Sequence, residues 1–202
     1  MCLNNWGGID HKVLEFHEYV NLFSGKSGSG KSTVMDAIQV ILYGSFSPSF
    51  LNKAADDAKN RRSVLSYLRG EQKDGSANRK DCDFCSVIAL EIEDTGTHII
   101  TCIGIAFEVR KSDSEIKKFV YFSHSGKMPE SEYLTEQGVC YSNQEIKKLV
   151  SARTKSDDNR GKGEVNRIYG SKEAYLGTLY DVILGYIDQN RFITMEKSAI
   201  AL

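Results

Sequence analysis

The chain has 202 residues, with 26 Lys and Arg against 27 Asp and Glu, a net charge of −1, and 41% apolar residues. That length supports one good core, or one core and an appendage. The charge balance excludes a global pull toward nucleic acid or anionic membrane. No run of about 18 apolar residues offers a transmembrane helix, and the acidic, Trp- and Gly-containing start is unlike a secretory leader. A cytoplasmic protein that does not engage membrane is the expectation. The five cysteines, Cys2, Cys82, Cys85, Cys102 and Cys140, are odd in number and scattered. They read as reduced thiols, because a disulfide framework wants pairs and a structural zinc wants four ligands.

In chain order, residues 1–24 read as two or three short strands with a turn at Trp6-Gly7-Gly8. Tyr19 to Phe23 is apolar and β-prone, as expected of a buried strand. Thr33 to Tyr43 carries Val34, Ala37, Ile38, Ile41 and Leu42 at helical spacing. Gly44 to Pro48 breaks the chain, and a short helix fits Ser63 to Leu68. Residues 71–80 are a loop by composition. Phe84–Ile92, His98–Val109 and Lys118–Ser123 form a meander, with a turn at Asp94-Thr95-Gly96 in which Gly96 is expected to supply a positive φ. Ser142-Asn143-Gln144-Glu145 is a capping box that starts a helix. Residues 151–164 read as a charged mobile loop, and Ser171 to Ile187 as a helix. The chain ends on the apolar Ala199-Ile200-Ala201-Leu202, inside an apparent further helix.

Between Tyr19–Phe23 and the helix from Thr33 lies the most specific pattern. Gly25-Lys26-Ser27-Gly28-Ser29-Gly30-Lys31-Ser32 fills every fixed position of the phosphate-binding loop, G-x-x-x-x-G-K-[ST]. Glycines let the backbone curl so that its N–H groups converge on phosphate oxygens. Lys31 suits the β- and γ-phosphates and is the expected catalytic residue. The Ser32 hydroxyl suits Mg²⁺, and Ser29 and Thr33 lend further polar contacts. The cofactor-binding set is therefore Gly25, Ser27, Gly28, Ser29, Gly30, Lys31, Ser32 and Thr33, for a nucleoside triphosphate with Mg²⁺. The loop reads phosphates, so by physics alone ATP and GTP fit equally.

Hydrolysis needs more than a cradle: an acidic residue after an apolar strand to hold Mg²⁺, and a group to orient water. Tyr180-Asp181 and Ile187-Asp188 are the nearest candidates, and both sit in helical pattern. Leu90-Glu91-Ile92-Glu93-Asp94 alternates like a half-exposed strand. No Leu-Ser-Gly-Gly signature occurs in the chain.

Several stretches together resemble the N-terminal head of SMC-like ATPases: Leu3-Asn4-Asn5-Trp6, Val13 to Phe16, Asn21 through the loop to Thr33, and Met35-Asp36-Ala37-Ile38-Gln39. Phe50 to Ala55 with Arg61 to Gly70 is similar to the MukB/MksB-like branch, the large SMC-like subunit of Wadjet-type plasmid-defence systems. The resemblance implies an α/β P-loop NTPase of the ABC/SMC-head kind, here its N-terminal lobe, with a mixed sheet, an antiparallel meander and C-terminal helices. It divides the chain into a nucleotide lobe over 1–125 and a mainly helical remainder over 126–202. It implies ATP and a C-terminal half-head as partners, head–head dimerisation, accessory subunits, and DNA contact. Ser27 departs from the family, which has Asn there.

Asn5, Trp6 and His11 fall where the family's first strands approach the base, against ordinary turn packing. Gln39 reads as a helix-surface residue. Lys53, Lys59, Arg61, Arg62 and Arg69 form a basic cluster that reads either as a solvated face or as phosphate contacts to ATP or DNA. Arg153, Lys155, Arg160 and Lys162 read as solvated. The alternatives are a stand-alone, non-hydrolysing nucleotide-binding module, a small-molecule P-loop kinase and an ABC transporter subunit.

Overall fold

In a computed structural model, described over residues 1–26, 28–47, 51, 63–72, 75–156 and 165–185, the chain forms one six-stranded sheet with helices on both faces. The first strands, β1 (Cys2–Trp6) and β2 (Ile9–Val13), make a hairpin about Gly7 and Gly8. The phosphate loop opens α1 (Lys31–Tyr43), and α2 (Val64–Leu68) follows. The meander is β3 (Phe84–Glu93), β4 (Ile100–Val109) and β5 (Lys118–Ser125). Then come α3 (Asn143–Ser156), a short β6 (Arg167–Tyr169), and α4 (Lys172–Thr178), which runs on into one π-helical turn at Leu179–Ile183.

The strand order is β2-β1-β3-β4-β5-β6, and every pairing is antiparallel. The expected mixture of parallel and antiparallel strands is not formed among the described residues. The reason lies in Tyr19 to Phe23, expected as a buried strand. Pairing with the sheet ends where Leu14 and Met1 exchange N–H···O bonds of 2.9 and 2.8 Å. Beyond that point Tyr19, Val20 and Leu22 are 87%, 76% and 89% exposed. The Asn21 side chain instead closes the chain on itself. Its Oδ1 accepts from the His17 N–H (2.7 Å) and its Nδ2 donates to the His17 carbonyl (2.8 Å). A strand needs a neighbour to satisfy its backbone, and no described strand lies beside this one.

Two apolar layers flank the sheet. On one face α1, α2 and α4 cover Leu3, Trp6, Ile88, Ile103, Ile105 and Phe107. On the other, α3 and the 128–141 segment cover Val87, Ala89, Ala106 and Phe122 with Tyr133 and Ile146. Gly104 sits in β4 because a Cβ there would meet the Ile88 carbonyl at 2.5 Å and the Phe122 ring at 2.7 Å.

Local signals predict their elements well. Ser63 Oγ accepts from the Ser66 N–H at the start of α2, and Ser142 and Glu145 form the reciprocal capping box of α3. At the β3–β4 turn the positive φ belongs to His98 (57°), not to Gly96. Asp94 Oδ1 accepts from the Gly96 and Thr97 N–H groups and so shapes the turn itself. The charged stretch expected as a loop from residue 151 is helical through Ser156, because Val150 and Ile146 anchor that helix on the sheet. No helix among the described residues is long and apolar enough to cross a membrane.

Candidate functional site

Gly28 and Gly30 adopt φ of 82° and 88°, in the left-handed region that side-chain-bearing residues avoid. This curl carries the chain straight into α1, whose first helical bond runs from Val34 N–H to the Gly30 carbonyl at 3.1 Å. Gly30 is the N-cap and brings no side chain to it, and the first turn has no acidic residue. The leading N–H groups of a helix lack intrahelical partners, and its dipole adds partial positive charge there. This end of α1 is therefore built for an external anion.

Lys31 Nζ donates to the carbonyls of Gly25 (2.7 Å) and Lys26 (2.9 Å), which hold it inside the curl. Ser32 is exposed on the first turn, and Thr33 is half-buried beside the Gly7 turn. The structure thus brings Gly25, Gly28, Ser29, Gly30, Lys31, Ser32 and Thr33 together at one helix end; Ser27 lies outside the described residues. The donor set, an ammonium, a hydroxyl and a row of backbone amides, suits a polyphosphate with its Mg²⁺.

The loop is anchored by β1. Trp6 is fully buried, lies tilted against Tyr67 (4.8 Å between ring centres), and donates from Nε1 to the Thr33 carbonyl at 2.9 Å. Asn5 Nδ2 donates to the Cys85 carbonyl at 2.8 Å. His11 sits between the Asn4 side chain and Glu132. These three residues do the work of turn and sheet packing.

Arg79 has no sequence motif to mark it, yet it ties together the segments beside the Gly7 turn. It is only 7% exposed. Nε donates to the Leu68 carbonyl at 3.0 Å, Nη1 to Asp10 at 2.7 Å, and Nη2 to the Gly7 carbonyl. Burial pulls its pKa down, and Asp10 works against that shift. Arg69, from the expected basic cluster, is neither a solvated face nor a free phosphate ligand. Its Nη2 donates to the carbonyls of Arg110, Lys111 and Asp113 at 3.2, 3.0 and 2.8 Å and pins the β4–β5 loop. Lys53, Lys59, Arg61 and Arg62 lie outside the described residues, as do Arg160 and Lys162.

The far end of α1 carries a second feature without a sequence signal. Tyr121, Tyr175 and Tyr180 donate their hydroxyls to the carbonyls of Gly44 (2.7 Å), Ile41 (2.9 Å) and Leu42 (3.1 Å). Three side chains from β5, α4 and the π-helical turn thus satisfy the final carbonyls of the loop-bearing helix.

The described cysteines are free. Burial pushes the Cys2 and Cys102 thiols up to about 12 and Cys85 to about 11, so they stay protonated and unreactive. Among the described residues no group of three or more His, Cys, Asp and Glu side chains could hold a metal. Asp181 is exposed on the π-helical turn.

A glycine-rich curl entering an uncapped helix, with its lysine folded into the curl, makes the N-terminus P-loop NTPase-like. In agreement, a family model described as the P-loop containing region of AAA domains matches residues 1–58. No curated protein matches the chain. The fold and this match point to nucleotide binding.

Proposed function

We propose that the chain is the ATP-binding N-terminal half-head of an SMC-like, DNA-associated ATPase, and that hydrolysis requires a C-terminal half-head. The observation that carries this reading is the pairing of a finished phosphate cradle with an unfinished sheet. The curl is formed at Gly25, Gly28 and Gly30, while the apolar segment Tyr19–Leu22 that leads into it is exposed and unpaired by any described strand. Exposed β-prone segments are templates for an added strand. A strand supplied by the other half-head would cover this one and complete the nucleotide domain.

In this reading backbone amides of the loop and Lys31 hold the phosphates, and Ser32 holds Mg²⁺, whose charge offsets that of the phosphate oxygens. The acidic Mg²⁺ ligand and the group that orients water come from the partner half. ATP is favoured over GTP by resemblance to the SMC-like family. DNA contact through Lys53, Lys59, Arg61 and Arg62, head–head dimerisation and accessory subunits rest on the same resemblance.

Equilibrium binding of Mg-ATP to the 202-residue chain, run beside a steady-state phosphate-release assay, tests the reading. Binding without turnover is expected. Steady turnover that Lys31→Ala abolishes would show that the chain carries its own catalytic half and would overturn it.

A further inference from the structure

Two clefts flank the phosphate loop. One, of about 480 Å³, is lined by Lys31, Ser24 and the apolar Ile9, Leu14, Phe23 and Val34. The other, of about 420 Å³, has Gly28 to Gly30 and Thr33 on one side, a floor at Gly7 and Gly8, and Glu71, Gln72 and Asn78 on the opposite wall. A triphosphate on this motif has a fixed direction: the lysine takes the β- and γ-phosphates, and the loop amides take the α- and β-phosphates. Ser29 and Gly30 line both clefts, but Lys31 lines only the first, and the loop's Gly28 with Thr33 only the second. The α-phosphate end then faces the second cleft, and the group bonded to the α-phosphate is the sugar.

The wall that meets the sugar is firmly built. Glu71 and Ala77 form an antiparallel bridge. The Gln72 N–H donates to the Ser76 carbonyl at 2.7 Å, and the Arg79 N–H to the Arg69 carbonyl at 3.0 Å. Arg79 then ties this wall to the Gly7 carbonyl and to Asp10. A Cβ on Gly70 would meet the Gly7 carbonyl at 2.8 Å, so the two backbones touch at the cleft floor. Gln72 and Asn78 are exposed. The Glu71 carboxylate accepts from the Ser66 hydroxyl at 2.5 Å through Oε2, and with the two carboxamides it complements hydroxyl groups, each of which donates and accepts. Among the described residues the cleft's one lining ring is Tyr67, which is buried against Trp6 and gives a base no stacking platform.

We infer that Glu71, Gln72 and Asn78 read the ribose hydroxyls of a bound ribonucleoside triphosphate, with Arg79 as the positioning residue that fixes their wall against the Gly7–Gly8 turn. This rests on the phosphate-binding reading above.

Calorimetric titration of the 202-residue chain with Mg-ATP, Mg-2′,3′-dideoxy-ATP and Mg-tripolyphosphate tests it, with Lys31→Ala alongside. ATP is expected to bind about 10-fold tighter than the other two, the effect of losing hydrogen bonds to hydroxyls. The double variant Gln72→Ala/Asn78→Ala should close most of that gap while tripolyphosphate affinity stays within about twofold. Arg79→Lys should weaken ATP more than tripolyphosphate. Equal affinity of the wild-type chain for ATP and dideoxy-ATP overturns the ribose assignment and leaves the phosphate cradle standing. A double variant that loses ATP and tripolyphosphate in proportion overturns it as well, because the wall would then act on the whole fold. A wild-type chain that binds none of the three, like Lys31→Ala, overturns the cradle and the ribose site together.

Discussion

The two ends of α1 are built to opposite plans. At its start, Gly30 supplies no capping side chain and the leading amides face the loop. At its finish, Gly44 turns in the left-handed region and returns its N–H to the Val40 carbonyl at 2.9 Å. There three tyrosine hydroxyls take up the carbonyls of Ile41, Leu42 and Gly44. One end leaves backbone groups for a ligand, and the other consumes them in the core. The helix is thereby clamped at its inner end and can hold its outer end still without side chains of its own there. Preorganised amides bind an anion without having to be ordered first.

The largest expected effect separates the two ends. Lys31→Ala should weaken Mg-ATP binding by about 100-fold, since it removes a charged partner of the phosphates. Its melting temperature should stay near the wild-type value, because the lysine bonds only the loop's own Gly25 and Lys26 carbonyls and Ser29 hydroxyl, at the surface. Calorimetry and a thermal melt read the two quantities; a large fall in stability would mean that the loop end also holds up the fold.

Tyr175→Phe should do the reverse. The side chain is 1% exposed, so losing its hydroxyl leaves the Ile41 carbonyl buried without that donor, at a cost of about 1–3 kcal/mol. For a chain of this size that is a fall of about 2–4 °C per kcal/mol. Nucleotide affinity measured well below the melting point should change little. A loss of affinity as large as that of Lys31→Ala would show that the two ends are coupled.

A pH titration sharpens the comparison by isolating the opposite face of the sheet. His124 is fully buried there, donating from Nδ1 to the Ser125 carbonyl and accepting at Nε2 from the Tyr133 hydroxyl. Burial lowers its pKa below the usual value. Below a pH of about 6.5 the unfolded chain takes up a proton that the folded chain refuses. The neutral His124 therefore gives its full stability above that pH, and the stability falls as pH drops toward the depressed folded pKa. The slope is at most about 1.4 kcal/mol per pH unit for one proton. His124→Gln should flatten this acid limb in melts taken across pH, while both ends of α1 keep their behaviour. An unchanged limb would assign it to other groups.

Tyr180→Phe should give the smallest change, about 0.5–1.5 kcal/mol, because its bond to the Leu42 carbonyl is longer and only part-buried. A loss larger than that of Tyr175→Phe would reverse the ranking of these two clamps.

The sequence by itself determined the phosphate loop, the helix that follows it, the β1–β2 hairpin, the meander, the short helix from Ser63 and the cap at Ser142. These are short-range features: a left-handed glycine, a side chain reaching an amide three residues on, an alternation of two. Only the tertiary structure decided what surrounds them. The tyrosine clamps reach across 77, 134 and 138 residues, and the Arg79 bonds to Gly7 and Asp10 across 72 and 69. A tyrosine or an arginine in the sequence does not state which distant carbonyl it will meet. Tyr19 to Phe23 makes the same point in reverse. Its composition reads as a buried strand, yet burial is a property of a neighbour, and no described strand of this chain provides one. Local chemistry wrote the cradle for phosphate; long-range packing chose which end of its helix was closed and which was left open.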